Sequence, residues 1–515
     1  MDTTAFVWLI VLPLVASPVI YLVGRLAVRN SRLISQNRAA YGAGVLALGV
    51  TWIPFVLSVR ELSASGPITY TVGMVSLRLD GLSLLLSAMA LTLGTLVILY
   101  SGPSLADEIG QEKYYAMLSA MVGAMIGLAC AADLFNLWIW FETMAVSSYL
   151  LVAFYREERA SLEAGVKYLV QSAAGSVMVL LGIALVLAQT GTVNLDEIRE
   201  ALAAGPAARA LWAAGALFII GFGVKTALVP LHTWLPDAHA QAPSGISAML
   251  SGIVIEAGLV AMLRSLVALG LSSLAVGIPW GALLMGFGAL NMLVGNLLAL
   301  RQTQVKRLLA FSSISHVGYM LVGIGIGLYA GQVAGVQGGF FHLLTHGLMK
   351  GLAFLAAGAL LYALHLSRKQ VEGEVESRPL TLSDLSGAAQ RYPLTALALS
   401  VAVLGLGGLP PLAGFMSKWQ IFVAGFATHN VLIGLLVVFA ALNSVLSLAY
   451  YVPLVNAVYR RQPSESVLQG QPLSMVMQVP LVLLALGVVA IGVWPSLVDW
   501  LTEPAGLTVL AALER

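Results

Sequence analysis

Eight ionisable side chains sit inside runs that are otherwise apolar. Glu142 lies in Trp138-Ile-Trp-Phe-Glu142-Thr-Met, Lys225 in Gly221-Phe-Gly-Val-Lys225-Thr, and Glu256 in Ser251-Gly-Ile-Val-Ile-Glu256-Ala-Gly. His316 lies in Phe311-Ser-Ser-Ile-Ser-His316-Val-Gly-Tyr319, and Lys418 in Gly414-Phe-Met-Ser-Lys418-Trp. His342, His346 and Lys350 follow one another at i, i+4 and i+8, which places all three on one face of a single helix. An ionisable group in hydrocarbon costs at least ~2.5 to 3.5 kcal/mol, so groups kept there read as functional. Carboxylates, amines and imidazoles together are the parts of a proton relay, with histidine exchanging protons near neutral pH. A buried lysine can gain and lose a proton. A neighbouring carboxylate such as Glu142 would hold it charged until that partner is protonated or moves, which is a switch.

Other chemistries find little support. His342 and His346 share one helix face, whereas the two axial ligands of a haem approach from opposite faces of the macrocycle. The single cysteine, Cys130, excludes an intramolecular disulfide framework, a Cys-ligated zinc site and an iron–sulfur cluster held by this chain alone. No P-loop occurs, and the relaxed dinucleotide match Gly325-Ile-Gly327-Leu-Tyr-Ala330 lies in a hydrophobic run without a preceding strand. The chain is therefore expected to hold no cofactor or metal and to carry no catalytic redox site. Its net charge of +2, without a long basic tract, leaves no nucleic-acid footprint. Lys167 lies near a span end and can snorkel, and Asp80, Asp133, His232, Asp237 and Arg307 are expected to cap or anchor span ends.

The elements that must position the eight groups are membrane helices. Only 10% of the 515 residues are charged and 59% are hydrophobic. A spanning helix needs ~20 mainly apolar residues. That ruler gives about fourteen spans, with approximate cores at 5–25, 40–59, 80–101, 114–132, 134–155, 165–188, 211–229, 244–270, 277–300, 304–329, 333–365, 393–427, 432–458 and 476–499. The first lacks a basic stretch before it and a clear cleavage site after it, so it reads as a retained helix. Alternate loops on one side hold seventeen Lys and Arg and those on the other side six, with Lys225, Lys350 and Lys418 inside spans. The positive-inside rule then puts both termini on the outer face of an inner or cytoplasmic membrane.

Spans 7 and 12 look discontinuous. Span 7 carries Pro230 and Pro236 after Lys225, and span 12 carries Pro410 and Pro411 before Lys418. Proline removes a backbone donor and clashes with the preceding turn, and irregular backbone at membrane depth survives only inside protein or along a cavity. The breaks lie five spans apart, so spans 7 and 12 cross in opposite directions. The expected fold class is an all-α polytopic membrane protein with two inverted five-helix repeats, an arrangement that places ion sites near the midplane. The expected segments are 1–113 (helices 1–3), 114–271 (first repeat, helices 4–8), 277–458 (second repeat, helices 9–13) and 459–515 (helix 14 and tail).

At these residues the chain resembles the proton-conducting, antiporter-like membrane subunits of respiratory complex I, whose superfamily includes Mrp-type sodium/proton antiporters and membrane-bound hydrogenases. The resemblance rests on Asp133-Leu-Phe-Asn-Leu-Trp-Ile-Trp-Phe-Glu142, on Gly223 through His239, on Phe311 through Tyr319 and on His346-Gly-Leu-Met-Lys350, and it covers roughly spans 3 to 13. It implies that Glu142 and Lys225 form the acid–lysine pair of a first half-channel. It also implies that His316, His342, His346 and Lys350 line a central hydrated axis and that Lys418 is the terminal proton donor or acceptor. Glu256 departs from the pattern, standing where such subunits usually carry Lys or His; it would pair with Lys225 or with an axial histidine. The chain ends soon after span 14 without the long lateral helix of the largest complex I antiporter-like subunit.

The implied function is proton translocation in a multisubunit NADH/quinone oxidoreductase, with iron–sulfur clusters, flavin and quinone on partner membrane and peripheral subunits. The alternatives are a subunit of a Mrp-type sodium/proton antiporter, which would move sodium as well as protons, or of a membrane-bound hydrogenase. Membrane lipid is the expected surrounding, and nucleic acid is not an expected partner.

Overall fold

The computed structural model describes residues 5–30, 37–73, 75–203, 209–270, 280–364, 369–371, 374–376 and 379–514. The segment boundary expected at 271–277 lies outside the described residues, as do Arg32, Arg368, Arg378 and Arg515 among the residues counted for orientation. The chain is a bundle of helices in the order α1 (Ala5–Asn30), α2 (Arg38–Ser65), α3 (Gly81–Ser104), α4 (Gln111–Cys130), α5 (Leu134–Val152), α6 (Arg159–Thr190), α7 (Leu195–Ala203), α8 (Arg209–Lys225), α9 (Trp234–Gln241), α10 (Ser244–Met249) and α11 (Ile255–Ala268). A π-helical turn, Leu250–Val254, joins α10 to α11. There follow α12 (Trp280–Ala299), α13 (Val305–Ala330), α14 (Val333–Ala363), α15 (Pro393–Gly407), α16 (Ala413–Phe426), α17 (Val431–Val458), α18 (Glu465–Gln469), α19 (Met475–Val493) and α20 (Asp499–Glu514). Two short antiparallel hairpins, β1 (Ile68–Val72) with β2 (Val75–Leu79) and β3 (Lys369–Val371) with β4 (Glu374–Glu376), decorate the loops.

Among the described residues, eleven helices are long and apolar enough to cross a membrane. The chain is thus an integral, multi-pass membrane protein. Helix α5 and the interrupted segments α8–α9 and α15–α16 do not meet that measure individually. Burial sorts the helices into layers. The α10–α11 segment, α13 and α14 are buried along their whole apolar cores, whereas α1, α2, α17 and α19 keep most of theirs outward. The central three carry Glu256, His316, His342, His346 and Lys350.

Polar residues close the helix ends. Asp80 caps α3 in a reciprocal box with Ser83, and Asp133 caps α5 at Asn136 while also accepting from the Ser76 amide. Both fit the expected capping roles. Helices α12 and α13 meet backbone to backbone: a Cβ on Gly288 would fall 2.7 Å from the Gly318 carbonyl oxygen. Small residues permit that approach where hydrophobicity cannot drive helices together. Helix α20 was not anticipated from the sequence. It packs on α3 and α14 so closely that a Cβ on Gly81 would fall 2.2 Å from the Pro504 carbonyl carbon.

Both expected breaks are present, and their freed backbone groups are accounted for. Between α8 and α9, the Val229 amide donates to Asn291 Oδ1 of α12 (2.9 Å), Asn291 Nδ2 donates to the Ala227 carbonyl (3.3 Å), and Trp234 Nε1 donates to the Val224 carbonyl (2.7 Å). Between α15 and α16, Lys418 Nζ donates to the Leu406 carbonyl (2.8 Å) and Ser444 Oγ to the Gly407 carbonyl (3.1 Å). This is how irregular backbone persists at membrane depth.

Candidate proton-transfer site

The side chains single out two groups of contacts. The first centres on Lys225, the last residue of α8, which is 1% exposed. Its ammonium donates to Tyr168 Oη on α6 (2.7 Å) and Ser172 Oγ (3.4 Å), and lies 4.4 Å from the centre of the Tyr168 ring. Tyr168 in turn hydrogen-bonds Ser148 of α5 (2.9 Å) and stacks flat on Trp234 with centroids 3.9 Å apart. Glycine at 258 makes room for the lysine stem, since a Cβ there would sit 3.1 Å from Lys225 Cβ.

Glu142 is electrostatically coupled to Lys225, yet the two make no ion pair, and Glu142 Oε1 is buried without a hydrogen-bond partner. The two groups are thus coupled through space and not directly bonded. The reason is competition: the aromatic hydroxyl of Tyr168, fixed by its stack on Trp234, takes the ammonium instead. A carboxylate coupled through space and not bonded still biases the lysine, because charge interactions at this depth are weakly screened.

The second group runs through the buried centre. Glu256, placed just after the π-helical turn, meets His346 of α14 with Oε1 to Nδ1 at 2.7 Å, both side chains 0% exposed. Of the two expected alternatives for Glu256, the axial histidine is realised and Lys225 is not. The His346 ring stacks on His316 of α13 (centroids 5.2 Å), His316 Nδ1 lies 3.0 Å from His342 Nε2, and His342 Nδ1 lies 2.9 Å from Ser417 Oγ on α16. Lys418, the next residue, rests against the C-terminal carbonyls of α15 and lies 4.7 Å from the centre of the Tyr319 ring. A cation there also suits the negative end of the α15 dipole.

Each imidazole can accept at one nitrogen and donate from the other, so the chain is chemically able to pass protons. Besides Ser417 to Lys418, the step without a direct hydrogen bond is His346 to His316. His346 Nε2 is unpartnered, and rotation of one ring or one bridging water completes the step. Lys350 lies one turn past His346 on α14 and makes no hydrogen bond to the histidines. Its ammonium donates to the Leu309 carbonyl at 2.7 Å and to Ser312 Oγ, which hydrogen-bonds Tyr451.

Sequence reasoning missed Tyr168, Ser172, Ser312, Ser417, Ser444 and Tyr451. Hydroxyls are ordinary in membrane helices, and the available signal was only that Ser417 directly precedes Lys418 and that Ser312 lies one turn before His316. The interfacial expectations for Lys167, Asp237 and Arg307 match a small ion network in which Asp237 accepts from both cations. Among the described residues no group of three or more His, Cys, Asp or Glu is placed to hold a metal ion.

Fold and site together define a polytopic membrane protein with a series of titratable side chains in its buried core. Residues 131–447 match the family described as NADH:quinone oxidoreductase/Mrp antiporter, TM, and the chain belongs to that family. It is 32% identical over 424 residues to the NADH-quinone oxidoreductase subunit N of Salinibacter ruber, covering 82% of this chain and 79% of that one. Its fold superposes on a chain of the archaeal membrane-bound sulfane sulfur reductase, a respiratory membrane complex, with a TM-score of 0.83, 26% identity and coverage of 99% and 100%. A chain of the Mrp complex from Dietzia sp. DQ12-45-1b also superposes, with a TM-score of 0.83, 22% identity and full coverage of both chains, which shows a shared fold.

Proposed function

We propose that the chain is the proton-translocating subunit of a complex I-like NADH/quinone oxidoreductase, coupling electron transfer in partner subunits to proton movement across the membrane. The observation that carries this reading is the buried series Glu256, His346, His316, His342 and Ser417, ending beside Lys418 at a broken helix. Such groups are costly in a bilayer, and a buried series of them has little use except charge transfer. The relationship to subunit N of a quinone-reducing enzyme supports the redox-driven branch.

In this reading the membrane is the inner or cytoplasmic one, the basic-rich loops face inward, and the chain crosses fourteen times as two inverted repeats over 114–271 and 277–458. Partner membrane and peripheral subunits hold the flavin, iron–sulfur clusters and quinone, and those groups supply the electron transfer. Charge rearrangement in the partners acts on Glu142, whose coupling to Lys225 then changes. Lys225 gives up or takes a proton, and Glu256 and His346 exchange theirs. The histidine series carries the change to Ser417 and Lys418, which exchange with the opposite side. Lys350 stands beside this axis and sets its local charge.

The test is replacement of Lys225 with Ala in the assembled complex. Pumping is expected to be lost while assembly persists, and pumping at the wild-type proton-to-electron ratio would sink the proposal. Gentle extraction from the native membrane, followed by mass spectrometry, checks the driving force. Iron–sulfur or quinone-reducing partners support redox coupling. Recovery of small hydrophobic partners alone, with sodium-dependent proton flux in the absence of an electron donor, would assign the chain to the antiporter branch.

A further inference from the structure

The proton series described above begins at buried groups and leaves open how a proton reaches them. His239 is a buried titratable side chain that it does not use. It lies in α9, directly after the first break, and is 0% exposed. Neither of its ring nitrogens has a hydrogen-bond partner. A neutral imidazole always carries one N–H and one bare nitrogen, and leaving both unmatched in an apolar interior is costly. Buried polar atoms of this kind mark places where ordered water or an exchanging proton is accommodated.

The surroundings give direction. The ring stacks on Phe354, 4.6 Å between centroids and 11° from parallel. Phe354 follows Lys350 by one turn of α14. The charged groups acting on His239 are Lys350 and Lys306. Lys306 is partly exposed in the first turn of α13, where its ammonium donates to the Ala242 carbonyl at the end of α9 (2.7 Å), and it is coupled to Glu158. Lys350 docks on the Leu309 carbonyl, one turn further along α13. His239 is therefore within electrostatic reach of Lys306, which bonds the end of its own helix, and of Lys350, one turn from the Phe354 on which its ring stacks, and both its nitrogens remain without partners.

We propose that His239 is the proton-entry relay of the chain, passing protons from the basic-rich side, past Lys306, to Lys350 and the buried axis. This rests on the proton-translocating reading above. One ring nitrogen accepts a proton from water on the Lys306 side. The other releases its proton, over ordered water, to the amine of Lys350 after that lysine has lost its own. The imidazole ends neutral and resets by tautomer exchange. The ring thus carries no net charge between cycles.

The test uses the complete complex in sealed, oriented membrane vesicles with electron donor and quinone supplied. Two variants are compared with wild type. His239→Phe keeps an aromatic ring against Phe354 without nitrogens, and His239→Gln keeps a donor and an acceptor without an exchanging imidazole. In whichever variant assembles, proton uptake from the basic-rich side is expected to slow roughly tenfold or more. The defect should deepen as pH rises on that side and ignore pH on the other. Wild-type uptake in either assembled variant, or a loss indifferent to which side is titrated, overturns the proposal. Lys225→Ala is run alongside. If it abolishes pumping while the His239 variants pump normally, only the entry relay is wrong; if it also pumps normally, the translocating reading itself falls.

Discussion

Glu256 of α11 and His346 of α14 share a 2.7 Å hydrogen bond with neither side chain exposed to solvent. A single proton serves both atoms, so its position decides whether the pair is two neutral groups or two ions. Glu256→Gln keeps a hydrogen-bonding oxygen but cannot ionise. It is expected to preserve assembly while slowing pumping by roughly tenfold or more. Glu256→Ala strands the His346 nitrogen and should in addition cost about 1 to 3 kcal/mol of stability. Thermal unfolding and proton-to-electron ratio, measured on the same preparations, separate the two effects.

Tyr168 supplies the oxygen that Lys225 holds and the ring that stacks on Trp234. Tyr168→Phe removes the first and retains the second. The lysine is left with the longer contact to Ser172 and its coupling to Glu142. Pumping should fall with little loss of stability. Unchanged pumping in Tyr168→Phe would mean that the hydroxyl only solvates the lysine.

Asp80 and Arg264 make a buried ion pair at 2.8 Å, and Arg264 also donates to the Ala129 carbonyl. It ties α3, α4 and α11 together away from the histidine series. Removing one partner leaves an unpaired buried charge, so Asp80→Leu should cost about 3 to 5 kcal/mol. The double replacement Asp80→Leu with Arg264→Leu should recover most of that. The double variant, once assembled, is expected to keep its proton-to-electron ratio, and a lost ratio with restored melting temperature would instead place the pair in the transfer path.

Gly414 lets the two halves of the second break meet. A Cβ there would fall 2.0 Å from the Gly405 carbonyl oxygen, which is backbone and cannot swing aside. Gly414→Ala should therefore displace α16 from α15, cost at least about 1 to 3 kcal/mol as overpacking does, and pull Ser417 off His342. Gly487 on α19 has nothing within 4 Å of a built Cβ, and Gly487→Ala is the control. Comparable melting temperatures for the two variants would remove the packing argument.

Much of this was legible in order along the chain, because bilayer chemistry acts on each segment separately. Apolar length marks the spans, proline marks both breaks, and the i, i+4 spacing puts His342 and His346 on one helix face. The cost of an ionisable group in hydrocarbon singles out all eight candidate residues without any knowledge of their neighbours. Hydroxyl residues carry no such cost, and for that reason Tyr168 and Ser417 gave no warning.

Partnership was decided only in three dimensions. Glu256 and His346 are 90 positions apart, and no spacing rule connects them. Lys350 has the right periodicity to join the histidines, but the Leu309 carbonyl and Ser312 lie nearer and take its ammonium. Lys225 bonds Tyr168, which stacks on Trp234, and neither contact follows from spacing along the chain. Which groups stand out within apolar runs is readable along the chain, since burial cost is a property of each residue. Which of them exchange protons was left to the packing of helices, since a hydrogen bond forms or fails over a few tenths of an ångström.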